Sequence, residues 1–210
     1  MQTSRQRDAA TGQHSSIFTV KVGDDVALPC EKETDDQNNC NKIVWISTNF
    51  LRTETVFDDG QILADTTESG RLSVVANCSL LIKNVTEVDV GRYTCRRLKS
   101  GQWNDFNAHL SVLTMTEQKN DDTITLFCSL LNYGKCRHNM EWLFEGKENI
   151  FLELETSSRS CSATVTFPTS QPDQNPKVFQ CQLTNRYNKD IQLFNLRYQS
   201  SVEKTGENMM

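Results

Sequence analysis

Residues 71–95, RLSVVANCSLLIKNVTEVDVGRYTC, decide the fold that this sequence predicts. Apolar residues alternate with others at 72–74 and again at 80–82, which is the period of a strand with one buried face. The stretch ends in DVGRYTC, so that Tyr93 stands two residues before Cys95. The pattern predicts two short strands, a turn and a third strand whose cysteine points into a core.

Strand patterns extend outward from this stretch. Upstream, inward positions alternate before a strand that carries a tryptophan: Val26, Leu28, Cys30 and Trp45. Strand patterns at 53–57 and 61–64 enclose the hairpin signal Asp-Asp-Gly at 58–60. A last strand at 108–113 completes the set. The extra pair at 53–64 is typical of a variable-type rather than a constant-type sandwich.

A second, shorter copy of the pattern follows residue 115. Trp142 follows Cys128 at nearly the spacing at which Trp45 follows Cys30. The separation from Cys128 to Cys181 is 53 residues, against 65 in the first copy. The missing length equals roughly one hairpin, so the second copy is predicted to lack the extra pair of strands.

Composition limits the classes of function. The net charge of −5 and the pI of about 5.3 argue against a surface for nucleic acid or anionic lipid. The eight cysteines are even in number, and none stands in a Cys-x-x-Cys pair that would indicate a zinc ribbon or a redox site. Paired disulfides, and hence an oxidising compartment, are the better interpretation.

No motif for catalysis or for a cofactor occurs in the chain. The histidines are scattered: His14, His109 and His138. Neither a metalloprotease motif, a Gly-x-Ser-x-Gly turn nor a phosphate loop is present, so we predict that the protein is not an enzyme and holds no cofactor. Acidic residues cluster in two loops: Glu33, Asp35 and Asp36, and Asp58 and Asp59. Their oxygens could bind a divalent ion, but such runs are usually solvated, and we predict no metal site.

These residues carry a resemblance to a known family. Cys30, Trp45, Arg71 and the pattern Asp-x-Gly-x-Tyr-x-Cys at 89–95 resemble the motif of an immunoglobulin V-set domain. Cys128, Trp142 and Cys181 resemble a C2-like domain, in which Phe179 replaces the tyrosine. The chain is similar to the ectodomains of immunoglobulin-superfamily receptors, such as the multigene leukocyte receptors of innate immunity. The resemblance implies an all-β fold of two tandem immunoglobulin-like sandwiches, each with an extra disulfide.

The resemblance also sets the expected boundaries. We expect a disordered segment at 1–15, a V-type domain at 16–115, a C2-type domain at 116–199 and a flexible stalk at 200–210. The polar N-terminus does not look like a secretory signal, and no apolar run spans a bilayer. We therefore expect an extracellular protein whose signal and any membrane anchor lie outside this chain.

The immunoglobulin fold implies the disulfide pairing. Each domain should have one bond between its sheets, Cys30–Cys95 and Cys128–Cys181. The other four cysteines stand before the tryptophan strand (strand C) and at the start of strand E, which are neighbours in such a sandwich: Cys40, Cys78, Cys136 and Cys161. This placement favours Cys40–Cys78 and Cys136–Cys161 as structural bonds, although four cysteines allow three pairings in each domain.

Two Asn-x-Ser/Thr motifs predict N-linked glycans at Asn77 and Asn84. Asn84 is expected at an exposed strand end. At Asn77, oxidation of Cys78, which lies within the motif, could compete with glycosylation.

A binding surface is expected on the outer face of one sheet of the first domain, together with the loop at 100–106. The candidate contact residues are mixed basic and aromatic: Arg96, Leu98, Gln102, Trp103, Phe106, Phe50 and Arg52. Trp103 is the main candidate because tryptophan is enriched at binding hot spots. In the alternative interpretation, Trp103 or Phe106 packs on its own sheet and Phe50 belongs to the core.

The resemblance implies the ligand-binding region of an immune-type cell-surface receptor that recognises a protein partner. A homophilic or heterophilic adhesion module, with a homodimer as one form, and a soluble secreted binding protein are the alternatives. Nucleic acid is not an expected partner, and contact with a membrane is expected only through an anchor outside this chain.

Overall fold

The computed structural model of the chain describes residues 2–7, 14–30, 40–63, 70–99, 101–144, 155–159, 161–168 and 178–197. The chain divides into two compact units. Unit 1 is Met1–Thr114 with Ser129–Arg137, and unit 2 is Met115–Cys128 with His138–Met210. The described elements are strands and two single 3-10 turns, which confirms the predicted all-β fold.

The strands follow one another along the chain. Those that begin in unit 1 are β1 (Gln2–Arg7), β2 (His14–Lys21), β3 (Val26–Leu28), β4 (Ile43–Thr48), β5 (Thr53–Asp58), β6 (Gln61–Ile62), β7 (Leu72–Val74), β8 (Leu80–Ile82), β9 (Gly91–Lys99) and β10 (Gln102–Lys119). Those of unit 2 are β11 (Thr123–Leu131), β12 (His138–Phe144), β13 (Glu155–Arg159), β14 (Ser162–Pro168), β15 (Val178–Asn185) and β16 (Ile191–Arg197). The last residues of β10 and the first of β11 belong to unit 2. The 3-10 turns are Cys40–Lys42 and Glu87–Asp89.

Unit 1 is a sandwich of two sheets. The larger one, which we call the front sheet, has the order β6–β5–β4–β9–β10–β2–β1. The back sheet has the order β3–β8–β7. β2 runs parallel to β10, whereas β9 runs antiparallel to both of its neighbours. The hairpin of β5 and β6 is the extra pair that the sequence predicts for a variable-type sandwich.

Part of segment 1–15 is ordered, contrary to prediction. Gln2–Arg7 forms β1, which pairs antiparallel with β2 from Gln2↔Thr19 to Arg7↔His14. These residues therefore form a strand for which the sequence gives no signal. Their side chains give no apolar alternation to read, but backbone N–H and C=O groups can pair with an open strand edge whatever the side chains are. The tail predicted at 200–210 lies outside the described residues.

The core of unit 1 lies between its sheets. Trp45 is fully buried there, and its indole nitrogen donates to the backbone oxygen of Cys78 at 3.1 Å. Alternation along each strand turns every second side chain inward. The buried residues that contact one another across the sandwich include Val26, Leu28, Ile43, Leu80, Ile82, Tyr93 and Leu110.

The corner before β9 explains the Asp-x-Gly-x-Tyr pattern. Both oxygens of the Asp89 carboxylate accept from the Arg71 guanidinium, at 2.8 and 3.0 Å. The Tyr93 hydroxyl donates to the Asp89 backbone oxygen at 2.8 Å, which is a tyrosine corner. A Cβ on Gly91 would lie 2.5 Å from the backbone oxygen of Thr48, so only glycine fits.

Unit 2 has the constant-type strand order. One sheet contains β13, β14 and β11 with the end of β10, and the other contains β12, β15 and β16. This matches the four-plus-three arrangement of a constant-type sandwich. Its core holds three rings: the Phe179 ring stacks on that of Phe167 at 5.2 Å and meets the edge of Trp142 at 6.2 Å. Phe179 is the counterpart of Tyr93 in unit 1. Its ring packs in the core, whereas Tyr93 donates a hydrogen bond through its hydroxyl.

All eight cysteines are disulfide-bonded. Unit 1 contains Cys30–Cys95 and Cys40–Cys78, and Cys128 bonds to Cys181. Cys136 and Cys161 are also disulfide-bonded, and with the other six paired they are left to each other. The structure therefore contains the pairing that the fold implies.

Candidate protein-binding site

The outer face of the front sheet is built from cross-strand rows. Cys95 points into the core, so its neighbours Thr94 and Arg96 point outward, and residues directly opposite them share that face. The first row pairs Leu98 with Trp103. The next rows are Val44–Arg96–Asp105 and Thr55–Ile46–Thr94–Asn107.

Trp103 lies on a tight β-hairpin rather than at a loop tip. The sequence predicts a loop at 100–106, but β9 pairs with β10 as far as Lys99↔Gln102, so only two positions separate the strands. Gly101, with a φ of +80°, provides the left-handed backbone that such a tight turn requires. Trp103 is 54% exposed, and its backbone position is fixed by the strand ladder.

Arg96 and Asp105 form a bidentate ion pair beside Trp103. The Arg96 Nε and Nη2 atoms donate to the two carboxylate oxygens of Asp105 at 2.8 and 2.9 Å. The hydrogen bond from Arg96 lowers the pKa of Asp105, while the bond to Asp105 and the attraction between the charges raise the pKa of Arg96. Both side chains therefore stay charged at neutral pH, and their net charge is zero.

The polar groups of the next row are also paired on the sheet. The Thr94 hydroxyl donates to the amide oxygen of Asn107 at 2.8 Å. Val44 and Ile46 lie beside these pairs and are half-buried. A partner that covers this face would bury polar groups whose hydrogen bonds are already made, which lowers the cost of desolvation.

Phe106 faces the other side of the sheet. It is the direct cross-strand neighbour of Cys95, and it packs against the core of unit 1. Phe106 therefore packs on its own sheet, as in the alternative interpretation, and a role for Phe106 in binding stays a prediction. The sequence analysis predicts a loop at 100–106, in which strand alternation would not fix the direction of the side chain.

Phe50 and Arg52 lie at the far end of the front sheet. The turn after β4 is tied by Asn49, whose side-chain oxygen accepts from the backbone N–H groups of Leu51 and Arg52 at 2.9 Å. Six residues of β9 separate the row of Leu98 from that of Arg92, about 20 Å at strand rise. These side chains therefore do not form one patch with Trp103.

The surroundings of Phe50 and Arg52 also differ from those of Trp103. Phe50 is 60% exposed, so it does not belong to the core, and its ring lies 5.2 Å from that of Tyr133. Arg52 pairs with Glu54 at 3.0 Å. Both side chains are already engaged locally.

The structure adds residues that the sequence analysis missed. Asp105, Val44, Ile46 and Asn107 all belong to the outer face around the candidate tryptophan. The sequence does contain a signal for Asp105. A two-residue hairpin turn at Ser100 and Gly101 would set a register that places Asp105 opposite Arg96. Gln102 is exposed at the start of β10, beside the turn.

The glycosylation candidates lie on the other sheet. Asn77 stands in the turn before β8 and Asn84 in the turn after it, and both are exposed. Glycans at these positions would extend from the two ends of a back-sheet strand and leave the front face open.

The described residues contain no group of three or more side chains able to hold a metal ion. Asp58 and Asp59 lie in the hairpin turn, where the backbone N–H of Asp59 donates to the Asp58 carboxylate at 2.9 Å. The acidic residues Glu33, Asp35 and Asp36 lie outside the described part of the chain.

The two sheets, the inter-sheet disulfide packed by Trp45 and the tyrosine corner have the geometry of a variable-type sandwich. A comparison with protein families finds the immunoglobulin V-set domain over residues 13–115. Residues 13–115 form an immunoglobulin V-set domain. The outer face around Trp103 is thus a face of this V-set domain.

Other comparisons add little to the V-set match. Similar solved structures include the extracellular portion of mouse CD200RLa, with a TM-score of 0.42 and 18% sequence identity, over 87% of this chain and 98% of that chain. The sequence matches no curated protein. In the described ranges, no helix has the length and apolar character needed to cross a membrane.

Proposed function

We propose that this chain is the extracellular ligand-binding region of an immune-type cell-surface receptor. The V-set domain recognises a protein partner through the outer face of the front sheet around Trp103. The observation that carries this proposal is Trp103 itself, a large aromatic side chain that is half-exposed on a hydrogen-bonded hairpin. Few residue types contribute as much to protein interfaces, and a fixed backbone reduces the entropy lost on binding.

The neighbours of Trp103 suit a protein partner. Leu98 adds apolar area next to the indole, and the Arg96–Asp105 pair gives the rim a neutral, hydrogen-bonded edge. This arrangement resembles the anatomy of protein interfaces, in which an aromatic centre is surrounded by satisfied polar groups. Disulfides in the V-set domain support an extracellular location, because such bonds persist in oxidising compartments.

The test begins with a screen of the folded chain against cell-surface proteins, followed by measurement of Kd for the partner that it finds. Trp103→Ala should weaken binding by about 2 kcal/mol or more, about thirty-fold in Kd, because the main apolar contact is lost. The unfolding temperature of the V-set domain should stay within a degree or so of the wild type, since an exposed side chain contributes little to the core.

Leu51→Ala is the matched control. Leu51 is 89% exposed but lies in the turn at the far end of the front sheet. Its replacement should leave Kd unchanged. Equal affinity of the wild type and Trp103→Ala would remove the Trp103 face from the binding site.

Homophilic adhesion would use the same face around Trp103 but predicts that the chain binds to itself. If the partner is a second copy, sedimentation of the purified chain will show a concentration-dependent dimer that Trp103→Ala abolishes. A monomer at all concentrations, with binding to a different protein, supports the receptor.

A further inference from the structure

We propose that Asn84 carries the N-linked glycan of the V-set domain, and that closure of the Cys40–Cys78 disulfide controls how much of Asn77 is glycosylated. The inference rests on the extracellular location proposed above. It concerns two motifs only seven positions apart, Asn-Cys-Ser at 77–79 and Asn-Val-Thr at 84–86, of which only the first contains a disulfide cysteine.

In the folded domain the motif at Asn77 is closed. Asn77 is exposed, but its side-chain oxygen accepts from the backbone N–H of Ser79 at 3.2 Å. Ser79, whose hydroxyl completes the motif, is only 3% exposed. A glycosylating enzyme that must reach both side chains can therefore act here only before this turn forms.

Cys78 fixes this closed conformation. Its φ is +61°, a conformation that residues other than glycine seldom adopt, and its backbone N–H donates to the oxygen of Val75 at 2.8 Å. Its own backbone oxygen accepts from Trp45. The bond to Cys40 holds the middle residue of the motif in place covalently, so that local fluctuations cannot reopen the motif while the disulfide is present.

The motif at Asn84 is closed only by noncovalent contacts. Asn84 is exposed, and the hydroxyl of Thr86 donates to the Asp89 carboxylate at 3.0 Å. That contact is part of the corner that also needs Arg71 and Tyr93. The corner cannot form until residue 93 has been synthesised, whereas Cys40 can react as soon as Cys78 arrives. Asn84 is therefore accessible for longer than Asn77.

The two competing reactions are ordinary chemistry of the secretory pathway. In disulfide closure, the thiols of Cys40 and Cys78 lose two protons and two electrons and form an S–S bond. The protons and electrons reduce the disulfide of an oxidised carrier to a dithiol. In glycosylation, the Asn77 amide nitrogen bonds to the anomeric carbon of an oligosaccharide. The bond from that carbon to the diphosphate of a lipid carrier breaks, and the amide loses one proton. Whichever of the two reactions occurs first decides whether Asn77 carries a glycan.

The experiment compares site occupancy in secreted full-length variants, measured by mass spectrometry of glycopeptides with and without enzymatic deglycosylation. In the wild type, Asn84 should be occupied and Asn77 occupied in a minor fraction. Cys40→Ser keeps the motif at 77–79 intact and removes the partner of Cys78, so occupancy of Asn77 should rise several-fold. Cys136→Ser removes the corresponding cysteine of the other extra disulfide and should leave the glycosylation of Asn77 unchanged.

A second variant guards against misfolding through a free thiol. Cys40→Ala with Cys78→Ala has no unpaired cysteine and should also show raised occupancy of Asn77. Unchanged occupancy of Asn77 in both variants would overturn the inference, as would an unmodified Asn84. The disulfides mapped in the same wild-type sample test the extracellular location separately, because they form only if the chain has passed through an oxidising compartment.

Discussion

At the residue scale, the corner of the V-set domain concentrates several strict requirements within five positions. Asp89 accepts from Arg71 through its carboxylate and from Tyr93 through its backbone oxygen. Gly91 lies against the backbone of Thr48, an atom that cannot move away as a side chain would. Each residue type is fixed here by specific close contacts, which is why this short run is so informative in the sequence.

Gly91→Ala should destabilise the V-set domain by about 1–3 kcal/mol, the usual cost of forcing extra atoms into a packed site. The added Cβ would meet the Thr48 oxygen at 2.5 Å and push β9 away from β4, its neighbour in the front sheet. Thermal unfolding followed by circular dichroism measures the effect. Gly70→Ala is the matched control, because a Cβ there meets nothing within 4 Å, and it should change stability by less than about 0.5 kcal/mol. Equal melting of the two variants would contradict this account.

His138 should make the stability of unit 2 sensitive to mild acid. Burial, and then the charge of Arg186, lower the pKa of His138 from 6.5. The unfolded chain therefore takes up a proton at a higher pH than the folded one, so stability is complete above about pH 6.5 and falls as the pH drops below it. Unfolding in urea between pH 7.5 and 5.5 measures this fall.

The His138→Asn variant has no imidazole at this position to take up a proton. Its free energy of unfolding should therefore fall less over the same pH range. Carboxylates titrate mostly below this range and should contribute similarly in both proteins. An identical dependence on pH in the wild type and the variant would show that His138 does not carry the effect.

At the scale of elements, both units have a disulfide-bonded cysteine with a left-handed backbone conformation just before a strand. Cys78 before β8 and Cys161 before β14 both have a φ of +61°. In each unit the buried tryptophan also donates to a backbone oxygen at this place, that of Cys78 in unit 1 and that of Ala163 in unit 2. The second disulfide thus fixes a turn whose backbone conformation is otherwise unfavourable for a side chain with a Cβ.

Cys40→Ser with Cys78→Ser should leave the V-set domain folded but less stable by about 2–4 kcal/mol, because the unfolded chain gains freedom. The core around Trp45 and the Cys30–Cys95 bond remain. Urea unfolding gives the loss, and near-ultraviolet circular dichroism reports whether Trp45 stays packed. A variant without native tertiary signal would contradict the view that this disulfide only reinforces a complete core. In the wild type, a mapped Cys40–Cys136 link would contradict the pairing itself.

At the scale of the whole molecule, the chain contains two separate cores. The core cluster around Trp45 is formed wholly by residues of unit 1. Unit 2 has its own stacked rings at Phe167 and Phe179. Damage to one core should therefore remain in its own unit.

Phe179→Ala should destabilise unit 2 by about 3–5 kcal/mol, because it leaves a cavity at a fully buried ring. Hydrogen exchange measured by mass spectrometry should show faster exchange in β12, β15 and β16 and unchanged exchange in β4 and β9. Leu80→Ala is the reciprocal control, since Leu80 is fully buried in unit 1. Loss of protection in both units from either variant would contradict the independence of the cores.

The sequence by itself determined the two sandwiches, the inward cysteines and tryptophans and the corner residues, because strand alternation and close contacts leave direct traces in residue type and spacing. Only the tertiary structure decided the composition of the candidate face. The tight turn at Gly101 sets the register that turns Trp103 outward and Phe106 inward, and the length of β9 separates Trp103 from Phe50. The pairing of the polar strand β1 with β2 was also decided by the tertiary structure, because backbone pairing to a strand edge requires no particular side chain.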